Sequence, residues 1–146
     1  MKIRFETPLK ASPEDVYNQF NEQLFTALNP PFPKVNLKRF DGSKTGDIVS
    51  LQLNFLVFKQ DWISEIIEDK EDNGSFYFID KGIKLPFFLS FWIHRHEINR
   101  TATGSSIVDS IEYKTGTLLT DFLMYPAMFF QFSARKPIYK KYFNKN

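Results

Sequence analysis

The sequence predicts an α+β domain in which an antiparallel sheet carries its helices on one side. Three observations lead there. Strand-like segments follow one another between residues 34 and 114, separated by turns and not by helices. The helical patterns sit at the two ends of the chain. No strand–helix–strand alternation occurs, and without such crossovers consecutive strands pair antiparallel. The order reads strand, two short helices, about six strands and one long helix, in one domain over 1–146.

Residues 2–10 alternate, with Ile3 and Phe5 on one face and Lys2, Arg4 and Glu6 on the other, which reads as an amphipathic strand. Ser12-Pro13-Glu14-Asp15 is a helix start, with Ser12 as cap, Pro13 in the first turn and acids where the helix dipole favours them. Val16, Tyr17 and Phe20 supply a short apolar face. A second short helix is expected over 22–28. Asn29-Pro30-Pro31-Phe32-Pro33 ends it, because proline lacks an amide proton and restricts the residue before it.

Strands are then expected over 34–40, 47–58, 60–69, 75–80, 88–100 and 106–114. Val49, Leu51, Leu53 and Phe55 share one face of the second of these. Asp72-Asn73-Gly74 is a hairpin turn, since Asn-Gly tolerates positive φ. The apolar segment 81–88, with Gly82 and Pro86, reads as a loop that serves as a cavity lid or is pinned onto the core. Gly104 turns the last hairpin and Gly116 ends it. From about 118 the period becomes helical. Leu119, Phe122, Leu123, Pro126, Phe129 and Phe130 fall at that spacing, which continues loosely to Tyr139, Tyr142 and Phe143. One long C-terminal helix is expected, kinked at Pro126 and Pro137.

Composition narrows the function classes. The 17 Phe, 6 Tyr and 2 Trp among 146 residues must fill a large core, line a pocket or form an exposed patch. A net charge of +2 argues against a nucleic-acid partner. The one basic cluster is the tail: Arg135, Lys136, Lys140, Lys141 and Lys145. It reads as a solvated helix face, with attraction to an acidic surface as the sharper alternative. With no cysteine there is no disulfide, thiolate metal site or cysteine nucleophile. The start, MKIRFETPLKAS, has no apolar signal core. The run 118–134 is interrupted by Asp121, Pro126 and Gln131, so no stable membrane insertion is expected. The expected location is cytoplasmic, and the expected state is a monomer or homodimer.

Chemistry concentrates in the last hairpin. A turn near Ala102–Thr103 sets Ile98 opposite Ile107, His96 opposite Asp109, His94 opposite Ile111 and Trp92 opposite Tyr113. These eight then share one face, and Arg95, Glu97, Ser110 and Glu112 the other. Two histidines and a carboxylate thus stand on an aromatic face. They suit an oriented acid/base pair of His96 and Asp109, polar anchors in a ligand cavity, or a buried pair that fixes strand register. A metal centre is the weakest reading, because the chain has no third histidine. No metal and no cofactor are expected.

The segment Phe91-Trp92-Ile93-His94-Arg95-His96-Glu97-Ile98 resembles the W-x-H-x-H strand of the START-like, or SRPBCC, ligand-binding domains, a group linked with polyketide cyclases. Ser12–Tyr17 is similar to that family's early helix. Val108-Asp109-Ser110-Ile111-Glu112-Tyr113 is similar to its strand before the closing helix, and Phe132, 135–139 and Phe143 resemble the helix itself. The resemblance covers essentially the whole chain. It implies a helix-grip fold, a seven-stranded antiparallel sheet wrapped around a long C-terminal helix with a cavity between them. It also implies a small hydrophobic molecule as partner. The implied cavity residues are Trp92, His94, His96, Asp109, Ile111 and Tyr113 from the hairpin, with Phe122, Met128, Phe129 and Phe132 from the helix. Non-catalytic binding or transport is the expected function. The alternatives are a cyclase, dehydratase or hydrolase using His96 with Asp109, and an interaction module using the basic tail.

Overall fold

The chain was analysed as a computed structural model that describes residues 1–144. Lys145, the last member of the basic tail, lies outside the described residues. The elements in chain order are β1 (Lys2–Leu9), α1 (Pro13–Asn18), α2 (Glu22–Ala27), β2 (Lys34–Phe40), β3 (Ile48–Asn54), β4 (Lys59–Asp72), β5 (Ser75–Lys84), β6 (Phe91–Thr101), β7 (Gly104–Lys114), α3 (Leu118–Ser133) and α4 (Arg135–Phe143). The seven strands form one antiparallel sheet in the order β1-β7-β6-β5-β4-β3-β2. Among the described residues, no helix is long and apolar enough to cross a membrane.

Local chemistry accounts for the early elements. Ser12 Oγ accepts from the Asp15 amide at 3.2 Å and Asn21 Oδ1 from that of Leu24 at 3.1 Å, so each short helix has its own cap. Asn73 and Gly74 turn the β4–β5 hairpin at φ 51° and 76°, the conformation that Asn-Gly tolerates best. The β6–β7 hairpin adopts the register read from the sequence, with Trp92 opposite Tyr113, His94 opposite Ile111, His96 opposite Asp109 and Ile98 opposite Ile107.

Two strand boundaries differ from expectation. The segment 47–58 is not one strand. β3 ends at Asn54, whose Oδ1 accepts from the Leu56 amide at 2.9 Å, and Leu56 takes φ 77°. The reversal throws Leu56 and Val57 into solvent. β5 runs on to Lys84, so half of the expected 81–88 loop belongs to the sheet. Of the rest, Pro86 is fully buried and Leu85, Phe88 and Leu89 join the core, while Phe87 is exposed.

The long C-terminal helix is present, as α3 and α4 in succession. Its one interruption is at Ala134, whose φ −65° and ψ −17° stay helical, and not at Pro126. Pro126 sits inside α3 at an exposed position, next to the face bearing Phe122. Pro137 falls in the first turn of α4, where a missing amide proton costs little.

The orientation of α3 corrects part of the sequence reading. Leu119, Phe122 and Leu123 face solvent and Phe130 is exposed at the cavity's edge, while Met128 and Phe132, two of the four helix residues expected at the cavity, are buried together with Asp121. Asp121 sets this rotation. Its Oδ1 accepts from the Thr115 amide (2.6 Å) and hydroxyl (2.7 Å), and its carbonyl accepts from the Tyr113 hydroxyl (2.8 Å). A buried carboxylate needs such donors, and they lie at the end of β7. The hydrogen bonds hold the Asp121 carboxyl below its usual range. With Asp121 turned inward, Phe122 is turned out.

The core lies in two parts under the helices. One joins Val16, Leu24, Ile98, Ile107, Tyr139 and Phe143. The other joins Ile3, Trp92, Ile111, Tyr113, Met128 and Phe132. α3 rests on β1 and β7, and α4 on β1. The inner faces of the middle strands are thereby left open.

Candidate functional site

Between those strands and the helices lies a cavity of about 1060 Å³. Val49, Leu51 and Leu53 of β3 line one wall, at the period of two that places them on one face, and Phe55 just past the strand joins them. β4 adds Trp62, Ser64 and Ile66. β5 adds Phe78 and Asp80. β6 adds Trp92, His94 and His96. Phe20, Leu24, Phe25 and Leu28 close the end under α1 and α2. From the C-terminal helices come Met124, Met128, Phe132 and Arg135. The mouth is aromatic. Phe32, Phe55, Phe58, Phe87 and Phe88 form a chain of ring contacts 4.9–6.0 Å apart, with Phe32 and Phe87 mostly exposed. The aromatic excess of the sequence therefore goes to the cavity, its mouth and the outer face of α3.

The hairpin residues divide. Trp92, His94 and His96 reach the cavity surface. Asp109 is buried behind the histidines. Ile111 and Tyr113 are covered by α3 and belong to the core. Phe122 and Phe129 do not line the cavity: Phe122 is on the outer face, and the Phe129 ring packs on Phe5 at 5.2 Å. With Asp121 turned inward, the other two helix residues expected there, Met128 and Phe132, hold the inward positions.

At the polar wall two imidazoles lie between two carboxylates. The His94 and His96 rings are 3.6 Å apart. Asp109 Oδ1 accepts from His94 Nε2 at 2.9 Å. His96 Nδ1 is 3.3 Å from the same oxygen but is not aligned for a hydrogen bond. Asp80 Oδ2 accepts from His96 Nε2 at 3.1 Å, and Asp80 Oδ1 from Trp92 Nε1 at 3.0 Å. His94 Nδ1 lies 3.7 Å from Asp80. The sequence reading missed Asp80. Its signal was the alternation Phe76, Phe78, Asp80, which puts a carboxylate at an inward position of β5 and opposite His94.

Burial and neighbours split the two histidines. Burial pushes His94 down to about 4, and the charge of His96 adds to it, against the pull of Asp109. Burial alone lowers His96 too, but the close approach and charge of Asp109 and the hydrogen bond and charge of Asp80 outweigh it and raise His96. Both carboxyls feel burial as their largest influence, which raises them. The imidazoles more than reverse it, so Asp80 and Asp109 sit below the usual carboxylate range. Of the two imidazoles, His96 is thus the one that favours its charged form and His94 the one that favours its neutral form. Asp80, His94 and His96 offer atoms within 4.8 Å of one another, close enough to share a cation. The imidazole nitrogens already face carboxylates, so a metal would have to displace the proton that holds the wall together.

No family model and no curated protein matches this chain. Solved structures do. Norcoclaurine synthase from Thalictrum flavum, in complex with dopamine and hydroxybenzaldehyde, superposes with a TM-score of 0.64 at 15% identity, covering 87% of this chain and 76% of that one. Ms6760 from Mycobacterium smegmatis gives 0.66 at 14% identity over 96% and 88%. Major latex-like protein 151 from Panax ginseng gives 0.54 at 14% over 93% and 97%. These likenesses show a helix-grip fold. Identities this low establish the helix-grip architecture and leave the chemistry to the residues of the cavity.

Proposed function

We propose that this helix-grip protein binds a small hydrophobic molecule inside its cavity without transforming it. The observation that carries the reading is the cavity of about 1060 Å³, walled mainly by aliphatic and aromatic side chains, with its ionisable groups limited to the Asp80–His94–His96 wall and Arg135. Apolar surface of that extent left facing water is unfavourable, and a ligand that covers it recovers the cost. Ligand-binding sites elsewhere share this plan of an apolar body and few oriented polar groups. A thermal-shift screen and native mass spectrometry against lipids and aromatic polyketides test it. A bound adduct with a raised midpoint supports it, and no binder in any apolar class overturns it.

A second reading has a specific observation behind it. His94 and His96 reach the cavity surface with carboxylates at their backs, the arrangement of an oriented acid/base group. One solved neighbour, norcoclaurine synthase, is by its name an enzyme. In this reading His96 exchanges the proton, Asp80 orients it through Nε2, and the nearby charge of Asp109 favours its protonated form. Replacing His96 by Gln then removes turnover of a bound substrate and leaves its binding intact. Unchanged turnover overturns the catalytic reading and leaves the binding one standing.

A further inference from the structure

One charged side chain in the cavity wall has no ion-pair partner among the described residues. Four ionisable side chains line the cavity: Asp80, His94, His96 and Arg135. The first three are held by one another, by Trp92 and by Asp109. Arg135, the first residue of α4, joins none of the ion pairs among the described residues. Its guanidinium lies over the Phe132 ring, 4.4 Å from the centroid, and its Nε is buried without an acceptor. One turn on, the fully buried Tyr139 hydroxyl has no partner either.

The chemistry of that residue limits what belongs beside it. A guanidinium does not shed its proton in a protein, so burial cannot neutralise Arg135. Its planar fork matches a carboxylate with two parallel hydrogen bonds, while its face stacks on an aromatic ring, as it does here on Phe132. Asp80 and Asp109 do not take this role, because each is already engaged by the imidazoles. One unpaired cation suits a head of one negative charge better than a doubly charged phosphate.

We propose that Arg135 receives a carboxylate, so that the ligand is a hydrophobic acid with its body along the β3–β6 wall and its head at the start of α4. This rests on the binding reading above and adds the class of ligand. The polar wall of β5 and β6 then faces the body of the ligand, and Arg135 faces its head.

The test compares an acid with its own ester. Fluorescence titrations use cis-parinaric acid and its methyl ester, with 2-naphthoic acid as an aromatic counterpart, on the wild type and on Arg135→Gln. The wild type is expected to bind the parinaric acid about tenfold or more tighter than the ester, the gain of a charge-assisted pair. Arg135→Gln brings the acid down to the affinity of the ester and leaves the ester unchanged. The naphthoic arm separates an aliphatic from an aromatic acid, and preference for either supports the proposal. An acid-to-ester ratio near one in the wild type overturns it, whether or not the variant folds. So does a preference that survives in a folded Arg135→Gln. Ester binding without acid binding sinks this proposal alone, whereas no binding of any probe sinks the cavity reading with it.

Discussion

Asp109 stands opposite His96 across the β6–β7 hairpin, yet its hydrogen bond goes to His94, two residues along β6. The diagonal leaves His96 free to turn its Nε2 to Asp80 on the neighbouring strand. Three strands are thereby tied through side chains as well as through their backbones.

Replacing Asp109 by Asn tests that tie. It removes a charge from a buried group whose partners remain, a change that costs roughly 3–5 kcal/mol. It also withdraws one of the two carboxylates that raise His96. Urea unfolding at neutral pH should show the loss, and the His96 ring protons should titrate at a lower pH by NMR. An unmoved His96 titration would contradict the network described.

The wall also sets the pH dependence of stability. His94 has its folded value lowered from 6.5 to about 4, so between these values the unfolded chain binds more protons. Stability therefore falls as pH drops through this window, by at most roughly 3 kcal/mol. Below it the lowered carboxyls of Asp80 and Asp109 are protonated in turn and their contribution is lost. His96 acts in the opposite sense: its raised value contributes stability below 6.5 that is lost as pH rises through the folded value. Urea midpoints measured from pH 4 to 9 should pass through a maximum, and a flat profile would contradict these assignments.

The rotation of α3 makes a paired prediction. Phe132 is buried and its ring packs against both Trp92 and His94, so Phe132→Ala should cost about 3–5 kcal/mol. Phe122, at 58% exposed, should tolerate Ser within about 0.5 kcal/mol. Comparable losses at the two sites would mean that Phe122 is a core residue.

Filling the cavity should separate binding from folding. Leu51 lines the wall and is only partly buried, so Leu51→Trp has open space to enter. Binding of the parinaric probes should weaken about tenfold or more, with the unfolding midpoint unchanged or raised. Undiminished binding would place the ligand elsewhere.

Asp121→Asn should loosen the start of α3, because the carboxylate holds both donors of Thr115. Amide hydrogen exchange should quicken across the first turns of α3 and not across β6. Protection that stays the same would show that Asp121 does not set the helix.

Much of the site was legible where side-chain direction follows from backbone period. In β6 and β7, alternate residues share a face whatever the rest of the fold does, so Trp92, His94, His96 and Asp109 could be placed together before any coordinates. β3 was legible for the same reason. Asp80 faces the same side by the same alternation, but its place opposite His94 depends on the β5–β6 pairing, whose register no tight turn sets. The helix was not legible in the same way. Apolar residues surround α3 on more than one side, so periodicity offers several faces and names none. The choice fell to one polar residue, Asp121, and its donors lie in β7.

The sequence by itself determined the helix-grip order of elements, the hairpin register and the face on which the histidines stand, because turn chemistry and strand period are local. Tertiary structure decided the partners of those histidines, the outward turn of Phe122 and the solitary position of Arg135 in the cavity wall. Each of these depends on which distant groups satisfy a buried charge, and that is settled by the folded arrangement of the whole sheet against its helices.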